Sequence, residues 1–286
     1  MQRLRISHLT EYCYADWVTF GPHRLRLRPR EGHDVRIESS RLDIAPAYDI
    51  RWHRDIFDNS VALVTFREGA TRLAIASEVI IEHYEEAPLD FLVEDYALRY
   101  PFLYDGEERI ELAAYQQACW PNDRRHVLAW LDYIGCQGHG IETFALLDRI
   151  NRAIASPYFT YMVREEQGVQ SPAWTLHTRT GSCRDYAALF VEACRALGLA
   201  SRFVSGYVHA PTTEAGNAST HAWSEVYLPG PGWKGFDSTT GEVTGKRHIP
   251  VAVARHPESV PPVAGTFFGP AGRWPILTVD VQVVAL

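Results

Sequence analysis

Hydrophobic and polar residues alternate through roughly the first 85 positions. In "RISHLTEYCYA", Ile6, His8, Thr10, Tyr12 and Tyr14 share one side of an extended chain, because successive strand side chains point to opposite faces. The same two-residue period returns in "HRLRLRPR", "ALVTFRE" and "RLAIASEVIIEHYE", and turn formers at 57–60 and 68–70 separate the runs. Short strands at this spacing predict a β-rich N-terminal domain over residues 1–85, built as a small antiparallel sandwich.

The period is lost over residues 86–140. "APLDFLVEDYALRYPFLYDG" reads as a linker anchored by prolines and aromatics. "ERIELAAYQQACW" and "RRHVLAWLDYIG" are helical candidates, the second stopped by Gly135. From 141 the period becomes helical: Ile141, Phe144, Ala145, Leu147, Ile150 and Ile154 form a stripe that Pro157 ends. A second helix starts at Cys183. It is followed by the strand "ASRFVSGYVHA", a polar loop "PTTEAGNAST", the strand "HAWSEVYL", a Pro-Gly-Pro-Gly turn and the strand "WKGFDST". Residues 247–286 return to β and end in "ILTVDVQVVAL". Residues 141–286 are accordingly expected to form one α+β core, a central helix on an antiparallel sheet, with a C-terminal β segment attached.

The helix at Cys183 has an unusual entrance. At about 100° per residue, Arg184, Asp185, Glu192 and Arg195 share one wedge and most of the remaining surface is apolar, which predicts a helix buried on most sides. Ser182 and Asp185 match a capping box, so Ser182 is the expected N-cap and Cys183 the first helical residue. A thiol there meets the positive end of the helix dipole and unpaired backbone N–H groups, both of which favour thiolate. Those N–H groups are also where an oxyanion would be stabilised. The alternative, a structural cysteine, suits a mid-helix position such as Cys194 better.

Composition narrows the chemistry. A chain of 286 residues can bury a sizeable core without covalent staples. The formal net charge of −7 argues against nucleic-acid or anionic-membrane partners. No leader-like or membrane-length apolar run is legible, and a cytoplasmic location is expected. The five cysteines are scattered, without Cys-x-x-Cys spacing, which fits reduced thiols rather than a disulfide framework or a zinc ribbon. On one helix, Cys183 and Cys194 stand about 16 Å apart and cannot bridge.

A thiol nucleophile needs a base, and the base an orienting group. His221 opens one strand and Asp237 closes the next, so a hairpin through the Pro-Gly turn brings them within hydrogen-bond reach. They share parity. An even register, with Leu228 opposite Gly232 around a three-residue loop, puts both on one face. Leu228 opposite Trp233 would turn Asp237 away unless a bulge at Gly235 corrected it.

With these residues in place, "TGSCRDYAALFVEACRALGLASRFVSGYV" followed by "HAWSEVYLPGPGWKGFDSTTG" resembles the transglutaminase-like superfamily, in particular its bacterial members described as cysteine proteases. The resemblance covers about 140–245 clearly and the first 85 residues, similar to an N-terminal region that accompanies this core, more loosely. It implies a papain-like catalytic core with Cys183 as nucleophile, His221 as general base and then acid, and Asp237 as orienter. Ser238 departs from a proline common in the family, and Thr240 from an asparagine; both departures bear on the turn rather than the triad.

Tyr161, Gln170 and Trp174 are candidates for an oxyanion-hole side chain, and Trp223 for a wall of the substrate cleft. The expected reaction is acyl transfer on a peptide or protein amide through an acyl-enzyme, with hydrolysis favoured over transfer to an amine. No cofactor is implied, and no calcium-binding loop is legible. Two other classes compete. A non-catalytic binding protein that keeps the fold is disfavoured by the complete triad. A metal hydrolase using Cys183, His221 and Asp237 is disfavoured because no second histidine stands at ligand spacing on the same element.

Overall fold

The structure is a computed structural model describing residues 1–84, 87–164, 168–209 and 220–286. The polar loop expected at 211–220 falls, except for Thr220, outside the described residues.

The alternating N-terminal segment forms six strands: β1 (Gln2–Phe20), β2 (His23–Leu25), β3 (Val35–Ala45), β4 (Tyr48–Arg54), β5 (Ser60–Phe66) and β6 (Ala70–His83). β1, β6 and β3 pair antiparallel in one sheet, and β2, β5 and β4 in a second. Leu25, Ala62, Val64, Leu73 and Ile75 close the sandwich between them. β1 and β6 run well beyond the smaller sheet. The continuation of the same apolar face, Leu4, Ile6, Val79 and Ile81, packs instead on Tyr207, Ile249 and Val251 of the core. One period-2 face thus serves two partners.

The connecting segment contains β7 (Arg99–Tyr100), α1 (Gly106–Glu111), α2 (Arg124–Tyr133) and β8 (Ile141–Glu142), which pairs with β7. α2 ends before Gly135, whose φ of +71° is costly for any side chain-bearing residue. The helical stripe begins as α3 (Thr143–Ile154), two residues later than its apolar pattern. The Glu142 carboxylate caps it by accepting the N–H groups of Phe144 and Ala145. Next come β9 (Thr160–Tyr161), α4 (Pro172–Thr178), β10 (Thr180–Gly181) and α5 (Cys183–Ala196).

α5 is the central helix. Tyr186 to Arg195 are all buried, with Leu189, Phe190 and Cys194 fully so. Most of its charged wedge, Asp185, Glu192 and Arg195, is buried too, which the pattern alone did not require. The Glu192 carboxylate accepts the N–H groups of Cys119 and Trp120, and Arg195 donates to Glu192 and to the carbonyls of Tyr115, Ser201 and Arg255. The connecting segment therefore covers the helix through satisfied charges.

α5 packs on a sheet ordered β14 (Glu242–Val243), β13 (Gly232–Asp237), β12 (Thr220–Leu228), β11 (Ser201–Val208) and β15 (His248–Ala254). Leu228 faces Gly232 in an unbulged β12–β13 hairpin, the even register.

The C-terminal β segment divides differently from the sequence grouping. β16 (Val263–Ala264) pairs with β2, while β17 (Phe267–Phe268) and β18 (Ile276–Ala285) pair with β1. Only β15 stays with the core sheet. The free side of β1 is the cause: β18 runs along it from Cys13 to Leu4, covering an otherwise open edge and adding Val281 and Val283 to the shared apolar face.

Candidate active site

Gly181, Ser182 and Asp185 build the entrance of α5. The expected capping box forms, the Asp185 carboxylate accepting both the N–H and the hydroxyl of Ser182 at 2.8 and 2.9 Å. The same buried carboxylate accepts the N–H of Gln170 at 2.7 Å, its side-chain amide at 3.1 Å and the Arg164 guanidinium at 2.8 Å. Asp185 thus ties the segment before α4 to the helix start. A Cβ at Gly181 would lie 2.9 Å from the Asp185 side chain, so glycine is what lets the chain pass there.

Cys183, partly buried, projects from this entrance to His221. Its sulfur faces the imidazole and the backbone N–H of Ala222, both of which favour the ionised thiol. On the far side of the ring, His221 Nε2 lies 2.9 Å from Asp237 Oδ2, leaving Nδ1 for the sulfur. The three residues expected to act together are brought together in that order.

Electrostatics follow from the contacts. Burial pushes the Cys183 thiol up, but His221, the Ala222 N–H and nearby Arg184 outweigh it, and the net direction is down. Burial disfavours the imidazolium of His221, yet the hydrogen bonds to Asp237 and Cys183 raise it to about 10. Burial likewise opposes the Asp237 charge, and hydrogen bonds from His221 and His248 hold the carboxyl well below its usual range. The arrangement favours a thiolate–imidazolium pair backed by a carboxylate. By contrast, burial moves Cys194 strongly upward and Cys136 up to about 11.

The Asp237 turn is held without the family's proline. Thr239 N–H donates to Asp237 Oδ1 at 2.9 Å, and the Ser238 hydroxyl donates to Asn151 Oδ1 of α3 at 2.8 Å. Ser238 uses a donor that proline lacks to fasten the turn to a neighbouring helix.

The remaining candidates separate. Tyr161 reaches the site because β9 pairs parallel with β10, setting Tyr161 beside Gly181. Its hydroxyl lies near the Cys183 sulfur and the Cys183 backbone N–H, where an oxyanion would be stabilised; burial and the neighbouring thiolate raise it to about 12. Gln170 is committed to Asp185 and, at 3.1 Å, to the Thr180 carbonyl, so it is a brace. Trp174 is exposed and stands against His177, away from the thiol. Trp223 is fully buried beneath His221 and does not line the cleft.

That cleft has a volume of about 860 Å³. Tyr161, Cys183, Arg184 and His221 form its core side, and Tyr12, Tyr14, Phe267 and Trp274 its other wall. The N-terminal region and the C-terminal return thereby complete the site.

Spacing did not reveal His248. Its Nε2 lies 3.2 Å from Asp237 Oδ2, and the ligand atoms of His221, Asp237 and His248 all lie within 4.8 Å of one another, the one such group among the described residues. The second histidine that a metal site would need is therefore present, supplied by a different strand. Both nitrogens lie at hydrogen-bond distance from a single carboxylate oxygen, and a proton on each accounts for the spacing. A cation there would have to break the His221–Asp237 bond.

A thiol at a helix N-terminus, facing a strand histidine and carboxylate on an antiparallel sheet, defines a papain-like arrangement. Residues 4–82 match the bacterial transglutaminase-like N-terminal region, and residues 143–238 match the transglutaminase-like superfamily core. Together the two matches span more than half of the chain, which belongs to the transglutaminase-like superfamily. An uncharacterized protein of Mycobacterium tuberculosis is 28% identical over 299 residues, covering 99% of this chain and 92% of its own. Another from Mycobacterium leprae is 26% identical over 276 residues, covering 94% of each. A solved structure from Cytophaga hutchinsonii, a "putative cysteine protease", shares the fold with a TM-score of 0.72 at 16% identity, covering 100% of this chain and 91% of that one.

Proposed function

We propose that this protein catalyses thiol-dependent acyl transfer on amide bonds, with hydrolysis of a peptide or protein amide as the reaction. The observation that carries this reading is the series Cys183–His221–Asp237, with the thiol facing the imidazole and His221 Nε2 2.9 Å from the carboxylate on its other side. The Cys183 thiolate attacks the carbonyl carbon, and the electron pair moves to the carbonyl oxygen, near the Cys183 N–H and the Tyr161 hydroxyl. As the C–N bond breaks, imidazolium His221 passes its proton to the departing nitrogen, leaving an acyl-thioester. His221 then takes a proton from water, whose oxygen attacks the thioester; the thiolate leaves and the carboxylic acid is released. Asp237 keeps the ring in register throughout and stays ionised.

The test is incubation of the full chain with a peptide library, with and without a primary amine, read by mass spectrometry. Hydrolysis products that disappear in Cys183→Ala support the reading. Amine adducts replacing them would make the protein a transamidase, and products surviving in Cys183→Ala would remove the thiol mechanism.

A further inference from the structure

We propose that His248 is a positioning residue for this site, holding the Asp237 carboxylate from the far strand so that the carboxylate can hold His221. The inference rests on the thiol reading above and adds a residue to it.

The argument begins with the carboxylate. Asp237 Oδ1 is taken by the Thr239 N–H of its own turn. Oδ2 has two partners, His221 Nε2 at 2.9 Å and His248 Nε2 at 3.2 Å. Without His248, Oδ2 would depend on His221 alone, the ring that must exchange protons during turnover. A side chain whose only fixed contact is a local turn can rotate away; one held from its turn and from a second strand cannot.

The ring of His248 is itself set to donate. Its Nδ1 accepts the Gly245 N–H at 3.4 Å, so the proton sits on Nε2, pointing at Asp237. Its edge meets the Trp223 ring at 5.3 Å between centroids, and its carbonyl accepts from His83 Nε2 of β6 at 3.1 Å. Trp223 keeps its place because Gly206 beneath it has no side chain; a Cβ there would lie 2.5 Å from the indole. With a relative exposure of 7%, His248 does not reach the cleft, and its ring centroid is 6.4 Å from that of His221. It therefore acts through Asp237. The other ionisable groups facing this assembly are Cys183 and Arg184 on α5, Tyr161 on β9 and His83 on β6.

The test uses the full chain and iodoacetamide as probe, with each cysteine followed by peptide mass spectrometry from about pH 5 to 9. In His248→Ala, alkylation of Cys183 near pH 6 should fall by about tenfold or more, the order known for loss of the partners that orient metal-ligating histidines. At about pH 9, where an ordinary thiol is already ionised, the rate should stay within about twofold of the parent. His248→Gln, whose amide nitrogen reaches the Nε2 position, should restore the acid side of the profile. His248→Asn, ending near Nδ1, should not. Continued protection of Cys194 reports an intact fold, and if His248→Ala loses it, the Gln and Asn pair decides. A folded His248→Ala with the parent profile, or rescue by Asn instead of Gln, overturns the proposal. If Asp237→Ala also leaves the profile unchanged, another group orients His221 and the proposal falls with Asp237's role; if only Asp237→Ala shifts it, His248 alone is excluded. A parent Cys183 that alkylates near pH 6 no faster than an ordinary thiol would sink the thiol reading itself.

Discussion

Asp237 stands diagonally across an unbulged hairpin from His221, with Oδ2 2.9 Å from Nε2, because Leu228 pairs with Gly232 and keeps the two side chains on one face. A register one residue longer would have pointed the carboxylate away. That parity, more than any single residue, gives the histidine its partner.

Removing the carboxylate tests the relationship. Asp237→Ala should lower turnover of whatever amide substrate the peptide screen identifies by about 10³- to 10⁴-fold, the scale of losing the orienting carboxylate in a serine triad. Thermal unfolding should remain cooperative. An Asp237→Ala variant with parental turnover would mean that another group orients His221.

Thiol reactivity should be selective. Cys183 is paired with an imidazolium whose pKa is raised to about 10, whereas Cys194 is driven upward by burial. In the native protein Cys183 should alkylate readily below about pH 8.5, the ordinary thiol value, while Cys194 stays unmodified. Equal labelling of the two cysteines would contradict the assignment.

Gly206→Ala should be costly. The new methyl would sit 2.3 Å from the Ile249 carbonyl oxygen and 2.5 Å from the Trp223 ring, under the His221–His248 pair. Overpacking of this kind costs about 1–3 kcal/mol or more, and denaturant melts should show it. Unchanged stability together with unchanged Cys183 reactivity would show that the strand relaxes freely here.

Stability should also fall in mild acid through His8. This buried residue links β1 to the core, its Nδ1 2.9 Å from the Tyr207 hydroxyl, and burial lowers it from 6.5 to about 4. A depressed histidine pKa means that the unfolded chain binds the proton first. The contribution is therefore intact above about pH 6.5, shrinks as the pH falls toward 4, and is lost below it. The linked loss is on the order of 3 kcal/mol. Melts across this range should be shallower in His8→Gln; an identical slope would assign the acid sensitivity to other groups.

Local pattern by itself determined much of this protein. Periods of two and 3.6 residues marked the sandwich strands and both main helices, because each element must present one apolar face. Ser182 and Asp185 located the start of α5, and strand parity showed which hairpin registers would put His221 and Asp237 on one side, a choice the tertiary structure then made in favour of Leu228 opposite Gly232. Tertiary structure alone decided which strands β18 joins, since its alternation suits any apolar sheet and only the open edge of β1 selects it. It also decided among equivalent-looking polar candidates: the β9–β10 pairing carries Tyr161 to the thiol, while Asp185 claims Gln170 and α4 leaves Trp174 outside. His248 was illegible for the same reason. Its contact with Asp237 is made between β15 and β13, at opposite sides of the core sheet, and no spacing along the chain encodes a meeting created by the way that sheet closes over Gly206 and Trp223.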